Sequence, residues 1–343
     1  MAEPLLSLTY SELAHTLMQW GYAPTHAATI WRLLYRDRVT SLSGASDLPT
    51  SLRAKFEENA HHSTVVAERS VSVSADGQTT KYLLALHDAC EIETVAMRHQ
   101  RRLTACVSSQ VGCALGCVFC ATGQQGFARN LSTDEIVAQA LHVARLSTEP
   151  LRNVVLMGMG EPLQNYDAAM QAIDILRDPA GLAIAAKRIT VSTVGVIPGI
   201  VRLADERRTC SLAVSLHAAT QDERAAMLPA ARAWPLDELM NACRYYSAKL
   251  GRRIFFEWTL IEDQNDSIEQ AEELAKLLHN VAAHVNLIPL NPTAGYAGLG
   301  SQGEAMDRFQ AVLHRHNIPN TVRRRRGIEI AAGCGQLAAV TNH

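Results

Sequence analysis

From Leu103 onward, strand-like runs alternate with helical ones, and no other feature of the chain limits its fold as tightly. Residues 154–157 read as a strand before a helix at 167–177, 188–191 before 198–205, and 212–216 before 221–227. Residues 254–260 then precede a helix at 267–280, and 285–289 precede one at 302–316. Such alternation implies a parallel sheet with right-handed crossovers, open or curled into a barrel. About six units fit, fewer than the eight of a closed barrel. In either form the functional groups belong at the C-terminal ends of the strands.

The preceding hundred residues have a different rhythm. Thr9 and Glu12 have capping-box spacing, Leu13, Leu17 and Trp20 recur at helical intervals, and Gly21 supplies a stop. Residues 24–35 and 49–60 each open on a proline and read as further helices. Residues 64–72, 81–87 and 91–97 alternate like strands, with Asp76-Gly77 as a turn signal. The chain therefore divides into a helical accessory unit (1–62), a β-strand connection (63–98) and an α/β core (99–343).

Of the 343 residues, 48% are hydrophobic and 19% charged, enough apolar material for a full core and too much for a disordered chain. No run approaches the roughly 20 apolar residues that span a bilayer, and Met1-Ala2-Glu3-Pro4 lacks the basic start of a signal peptide. The expectation is a cytoplasmic protein with no membrane partner. A net charge of −2 argues against a globally basic nucleic-acid binder. Yet 27 of the 32 basic residues are Arg, which forks onto phosphate, and Arg323 to Arg326 are consecutive. That run fits a solvated edge as well as a phosphate contact.

Of eight cysteines, Cys90, Cys210 and Cys243 read as small buried residues. Cys113-Ala-Leu-Gly-Cys117-Val-Phe-Cys120 brings three thiols into one glycine-containing loop. Zinc would need a fourth ligand, which a distant residue such as His142 could supply. A [4Fe–4S] cluster held by three cysteines leaves one iron open for an exogenous ligand.

This C-x3-C-x2-C spacing, with Phe119 before the last cysteine, resembles the signature of radical S-adenosylmethionine (SAM) enzymes. The longer string Cys106-Val-Ser-Ser-Gln-Val-Gly-Cys113, followed by Phe119-Cys120-Ala-Thr-Gly-Gln-Gln-Gly-Phe127 and Arg129-Asn130-Leu131, resembles the RlmN/Cfr family. That family methylates ring carbons of adenosine in RNA, and the similarity runs from about Glu91 to Leu337. The resemblance implies a partial (βα)6 radical SAM barrel with an N-terminal helical accessory domain. It implies a [4Fe–4S] cluster on Cys113, Cys117 and Cys120, with SAM at Gly160, Glu161, Ser192, Ser215, Leu216, His217 and Asn291.

Adenine C2 and C8 are not nucleophiles, so a sulfonium methyl has no workable polar route to them; a thiolate carrier is needed. The resemblance gives that role to Cys334, which one SAM methylates. A 5′-deoxyadenosyl radical from a second SAM takes hydrogen from that methyl, and the methylene radical adds to adenine. Cys106 then resolves the thioether through a transient disulfide, and Glu93 is the candidate proton acceptor. Around Cys334 the chain departs from the family: Gly333 replaces the usual Ala, and Glu329 and Ala331 stand where Asp residues are usual. The expected substrate is ribosomal RNA, transfer RNA or both, modified at C2 or alternatively C8. The expected partner is an electron donor such as flavodoxin or ferredoxin, and the expected state is a monomer. The alternatives are a radical SAM enzyme acting on another substrate class and a zinc-stabilised RNA-binding protein without catalysis.

Overall fold

The computed structural model describes residues 4–58 and 66–339. Its helical start comprises α1 (Tyr10–Gln19), α2 (His26–Trp31), a π-helical turn at Arg32–Arg36, and α3 (Thr50–Glu58). The capping box at α1 is reciprocal: Thr9 N–H donates to Glu12 at 2.7 Å, and Glu12 N–H to the Thr9 hydroxyl at 3.4 Å. Leu13 and Leu17 are fully buried, and Gly21, at φ +81°, turns the chain out of the helix. The end of the helix expected at 49–60, the start of the strand expected at 64–72 and the boundary drawn at 62 lie outside the described residues.

Strands β1 (Ala67–Val73), β2 (Thr79–Ala85) and β3 (Glu91–His99) form an antiparallel meander, and β3 pairs antiparallel with β4 (Arg102–Cys106). A small hairpin follows, β5 (Gln110–Gly112) and β6 (Phe127–Asn130), with α4 (Ala121–Gln125) between its strands. The crossovers then proceed through α5 (Thr133–Arg145), β7 (Leu151–Leu156), α6 (Tyr166–Arg177), β8 (Ile189–Thr193), α7 (Ile197–Asp205) and β9 (Ser211–Ser215). They continue through α8 (Gln221–Met227), α9 (Leu236–Leu250), β10 (Ile254–Leu260), α10 (Ile268–Leu277), β11 (Ala283–Pro289), α11 (Glu304–Arg315) and β12 (Asn320–Val322). Neighbours from β4 through β7 to β12 are all parallel, in one ten-stranded sheet of order β1-β2-β3-β4-β7-β8-β9-β10-β11-β12. Six helix-crossed units and a three-residue closing strand make the expected partial barrel. The meander is continuous with the barrel sheet through β3 and β4.

Helices α5 and α9 go beyond the segments delimited from the sequence. In α5 nearly every residue is buried, because the helix is covered by the sheet on one side and by the N-terminal unit on the other. The helix nonetheless carries an apolar stripe at helical spacing, Ile136, Val137, Ala140, Leu141 and Ala144. Ser7 donates to Asp134 at 3.0 Å, Trp31 to Asp178 at 3.1 Å, and Arg145 to the Arg38 carbonyl at 2.9 Å. The helical start thus shares one hydrophobic core with the barrel.

Gln139 of α5 fixes the sheet beneath the site. Its amide oxygen accepts from Thr94 and from Ser108 N–H, both at 2.7 Å, and its NH2 donates to the Ser108 and Glu135 carbonyls at 3.0 and 3.1 Å. Gln139→Leu would strand these buried groups without a partner, at about 1–3 kcal/mol for each left unsatisfied. We expect a fall of about 3 kcal/mol or more in urea denaturation followed by circular dichroism; an unchanged midpoint would show that the network carries no stability.

Candidate active site

The motif residues reach one place because parallel strands all end on the same side. A cavity with about 980 Å³ of free space out to its open mouth lies there. Its wall takes Leu156 from β7, Ser192 from β8, Ser215 from β9, Glu257 from β10 and Ile288 from β11, so the sheet curls around it. Cys113, Cys117 and Cys120 line one side, and Cys334 and Gly335 lie on the C-terminal segment across the mouth.

The cysteine loop is held by backbone bonds. Cys113 N–H donates to the Gly126 carbonyl at 2.7 Å, Cys120 N–H to that of Cys117 at 3.1 Å, and Val118 N–H to that of Met227 at 3.1 Å. Gly112 has φ +73°, and a Cβ there would lie 2.0 Å from the Gly126 oxygen, so only glycine allows the hairpin to close. Burial pushes the Cys113 thiol up to about 12 and raises Cys117 further, with neighbouring Cys120 and Cys113 adding to the latter. Buried thiols of this kind ionise when a cationic group arrives to bind them. Among the described residues, no three His, Cys, Asp or Glu side chains gather tightly enough for a single ion. Three thiols around a shared cavity instead suit the donor set of a larger cluster.

Glu161 lies in the turn after β7, buried and bonded by Leu163 N–H at 3.0 Å and Val194 N–H at 2.8 Å. Burial dominates those bonds and pushes its carboxyl up to about 7. Gly160 has φ +97°, and a Cβ there would meet the Gln110 side chain at 2.5 Å. His217, also at positive φ, accepts the Thr259 N–H on Nδ1 at 2.9 Å, which leaves the proton on Nε2. Burial and then Arg224 hold this ring neutral down to about 3. Asn291 donates to the Cys334 carbonyl at 3.1 Å, while its buried Oδ1 has no partner. A buried acceptor left unpaired in the cavity wall suits a ligand that carries amines and hydroxyls.

Three of the expected residues do not line this cavity. Leu216 is a core side chain whose N–H goes to the Glu257 carbonyl at 3.0 Å. Cys106 is buried behind the wall, its thiol pushed up to about 12 by burial and then by the nearness of Cys334. Glu93 shares a sheet face with Cys106, because Val95, two residues on, pairs directly with Cys106. Its carboxylate takes Lys81 at 2.8 Å and the Ala338 N–H at 2.8 Å, tying β3 to the C-terminal segment. Cys334 is open to solvent on one side, but close packing on the other and nearby Glu257 raise its thiol, with Arg323 acting in the opposite sense. All eight cysteines are free, so Cys106 and Cys334 form no standing disulfide.

The chain matches the model of the radical SAM superfamily over residues 107–278. It is 54% identical to "Dual-specificity RNA methyltransferase RlmN 1" of Myxococcus xanthus, over 98% of this chain and 94% of that protein. It is 52% identical to "Probable dual-specificity RNA methyltransferase RlmN 2" of Opitutus terrae, over 97% and 86%. The chain belongs to the RlmN family of radical SAM enzymes. A crystal structure of a radical SAM methyltransferase from Sphaerobacter thermophilus superposes with a TM-score of 0.95 at 44% identity, covering 99% of this chain and all of that one. The family's chemistry uses a [4Fe–4S] cluster and SAM, and the thiols, the orphaned Asn291 oxygen and buried Glu161 fit both.

Sequence reasoning passed over Gln110, Lys81, Glu257 and Arg224. Gln110 accepts the Glu161 N–H at 2.9 Å, and Lys81 holds Glu93. Glu257, raised by burial, lines the cavity near Cys334 and accepts from Asn286 at 2.8 Å. Its signal was a lone acid within the apolar strand 254–260.

Glu161 gives a pH test that can be run on apoprotein. The unfolded carboxyl loses its proton near 4.3, the folded one near 7, so the unfolded state is favoured progressively as pH rises between them. Wild-type protein should therefore lose about 2–3 kcal/mol more than Glu161→Gln between pH 5 and 8, from urea midpoints. Parallel pH profiles would show that the carboxyl is not held protonated.

Proposed function

We propose that this chain methylates a ring carbon of adenosine, C2 or alternatively C8, in ribosomal RNA, transfer RNA or both. The observation that carries the reading is that Cys334 lines the same cavity as the three cysteines and the strand-end residues. Together a reduced cluster and SAM supply one-electron cleavage of the sulfonium and so hydrogen abstraction. The remaining work falls to the chain's own groups. Cys113, Cys117 and Cys120 hold the cluster. Gly160 and Glu161 receive the SAM ammonium, while Ser192, Ser215, the Leu216 backbone, His217 Nε2–H and Asn291 Oδ1 hold its remaining polar groups. Cys334 takes up the methyl and carries it to the base, and Cys106 frees the product by a transient disulfide with Cys334. Glu93 accepts the ring proton, held on the Cys106 side of the sheet by Lys81.

Two arginines of the run before Cys334 are engaged: Arg325 donates to the Leu290 carbonyl at 2.9 Å and Arg326 to that of Arg98 at 2.8 Å. Arg323 and Arg324 are exposed, and the charge of Arg323 is felt at the carrier Cys334, where phosphate would pass. The helical unit (1–62) and the strand connection (63–98) serve as accessory parts to the catalytic core (99–343). The enzyme works as a cytoplasmic monomer and draws electrons from a flavodoxin or ferredoxin. No helix among the described residues is long and apolar enough to cross a membrane.

Nucleoside mass spectrometry of ribosomal and transfer RNA tests the reading. The parent strain should contain a C-methylated adenosine that a gene-deletion strain lacks; the wild-type gene should restore it, and Cys334→Ala should not. Identical nucleoside profiles in parent and deletion strains would overturn the assignment.

A further inference from the structure

Arg224 is the most deeply buried charge in the molecule's described part that has no opposite charge beside it. It is 1% exposed. Among the described residues its recorded bonds go to backbone oxygens, those of Val194 and, at 3.3 Å, Ser215, and no ion pair includes it. Its Nε is buried without any partner. Isolated cations are strongly disfavoured away from water, and structures keep them where an anion answers them. Even with burial pushing it down to about 10, the guanidinium stays charged at neutral pH.

Its position says where that anion belongs. The Val194 N–H bonds Glu161, and Ser215 is part of the cavity wall, so both of its carbonyl partners belong to the site. One turn further along α8, the Met227 carbonyl accepts the Val118 N–H from within the cysteine loop. The charge of Arg224 is felt at Cys117 and at the His217 ring, both on the cavity. The thiol of Cys243, its other neighbour, is fully buried and pushed up to about 12, so it supplies no charge. Three cysteine thiolates carrying an iron–sulfur cluster would supply it.

Resting on the cluster assignment above, we propose that Arg224 is the built-in counter-cation of the iron–sulfur cluster, favouring cluster loading and the reduced state over the oxidised one. Reduction adds one electron and no proton, so the cluster becomes more negative by one charge while Arg224 stays fixed. A positive charge in a low-dielectric wall favours that product and raises the midpoint potential. Arg224 is thus a positioning and tuning residue and touches no reacting atom.

The test compares full-length wild type, Arg224→Met and Arg224→Lys, each as apoprotein and after anaerobic reconstitution with iron and sulfide. Thermal melting is read on both forms, and the midpoint by EPR-monitored titration with dithionite. In Arg224→Met the apoprotein should melt no lower than wild type, since an unanswered buried charge is gone. Its gain on loading should shrink, and reduction should become at least about tenfold less favourable, a shift of about 59 mV to more negative potential for one electron. Arg224→Lys keeps the charge and should load with a midpoint near wild type.

Loaded Arg224→Met with an unchanged midpoint would overturn the proposal. So would an apoprotein melting far below wild type with an undiminished gain on loading, which would mark the arginine as a bracket for two carbonyls. If Arg224→Met does not load, loading by Arg224→Lys supports the role of charge, and failure of both contradicts it. Failure of wild type itself to take up a [4Fe–4S] cluster would strike the earlier assignment instead.

Discussion

The lacing between the segment after β4 and the turn after β7 sets everything at the cavity. Gly158 N–H donates to the Val107 carbonyl at 3.1 Å, and Ser109 and Gln110 N–H both donate to the Met159 carbonyl, at 2.8 and 3.2 Å. Ser108 Oγ accepts the Met159 N–H at 2.9 Å and donates to the Glu93 carbonyl at 2.7 Å. A Cβ on Gly158 would sit 2.8 Å from Ser108 and Val107, so the two strands of chain meet as bare backbone. One end of this lacing leads into the cysteine loop and the other into Glu161. The cysteine loop and the Glu161 turn are therefore held relative to one another by main-chain hydrogen bonds, to which the Ser108 hydroxyl and the Gln110 amide add. Fixed placement of this kind is what electrostatic and radical chemistry require of a protein.

The electrostatics of the cavity are those of a site built for charged occupants. Burial holds the Cys113 and Cys117 thiols and the Glu161 carboxyl toward their neutral forms, and Arg224 stands charged and unanswered behind them. Each of these groups is at odds with its surroundings, and the proposed cluster and sulfonium amino acid would bring the compensating charges. The C-terminal segment closes the arrangement through many weak ties. Thr122 donates to the Leu337 carbonyl at 2.6 Å, Ala121 N–H to that of Gly335 at 2.7 Å, and Gln336 to that of Pro292 at 2.8 Å. Cys334 is thereby suspended at the mouth, facing the cavity on one side and solvent on the other.

Much of this was legible in the sequence. Strand runs marked where parallel strands end, and the glycines and cysteines of 106–120 and 158–161 marked which ends matter. What escaped depends on contacts between distant residues. Gln139 reaches Thr94 and Ser108 across 45 and 31 positions, and nothing local in α5 announces it. The β3–β4 hairpin, where the core was taken to begin, turns on Gln100 and Arg101 at φ +46° and +59°. Tight hairpins of that conformation usually advertise themselves with Asn-Gly or Asp-Gly, and this one does not. Arg224 carries no motif either and is made notable by burial, while Glu257 showed only as a lone acid in an apolar strand.

The proposed two-thiol division of labour between Cys334 and Cys106 can be reached directly by one measurement. Purified Cys106→Ala protein, isolated from cells under denaturing conditions, should carry covalently attached RNA. Digestion and mass spectrometry should place the remaining adenosine adduct on the Cys334 peptide, because a carbon–sulfur bond to the base persists unless a second thiol attacks the sulfur. Cys106→Ala protein that turns over RNA robustly and carries no adduct would contradict the account.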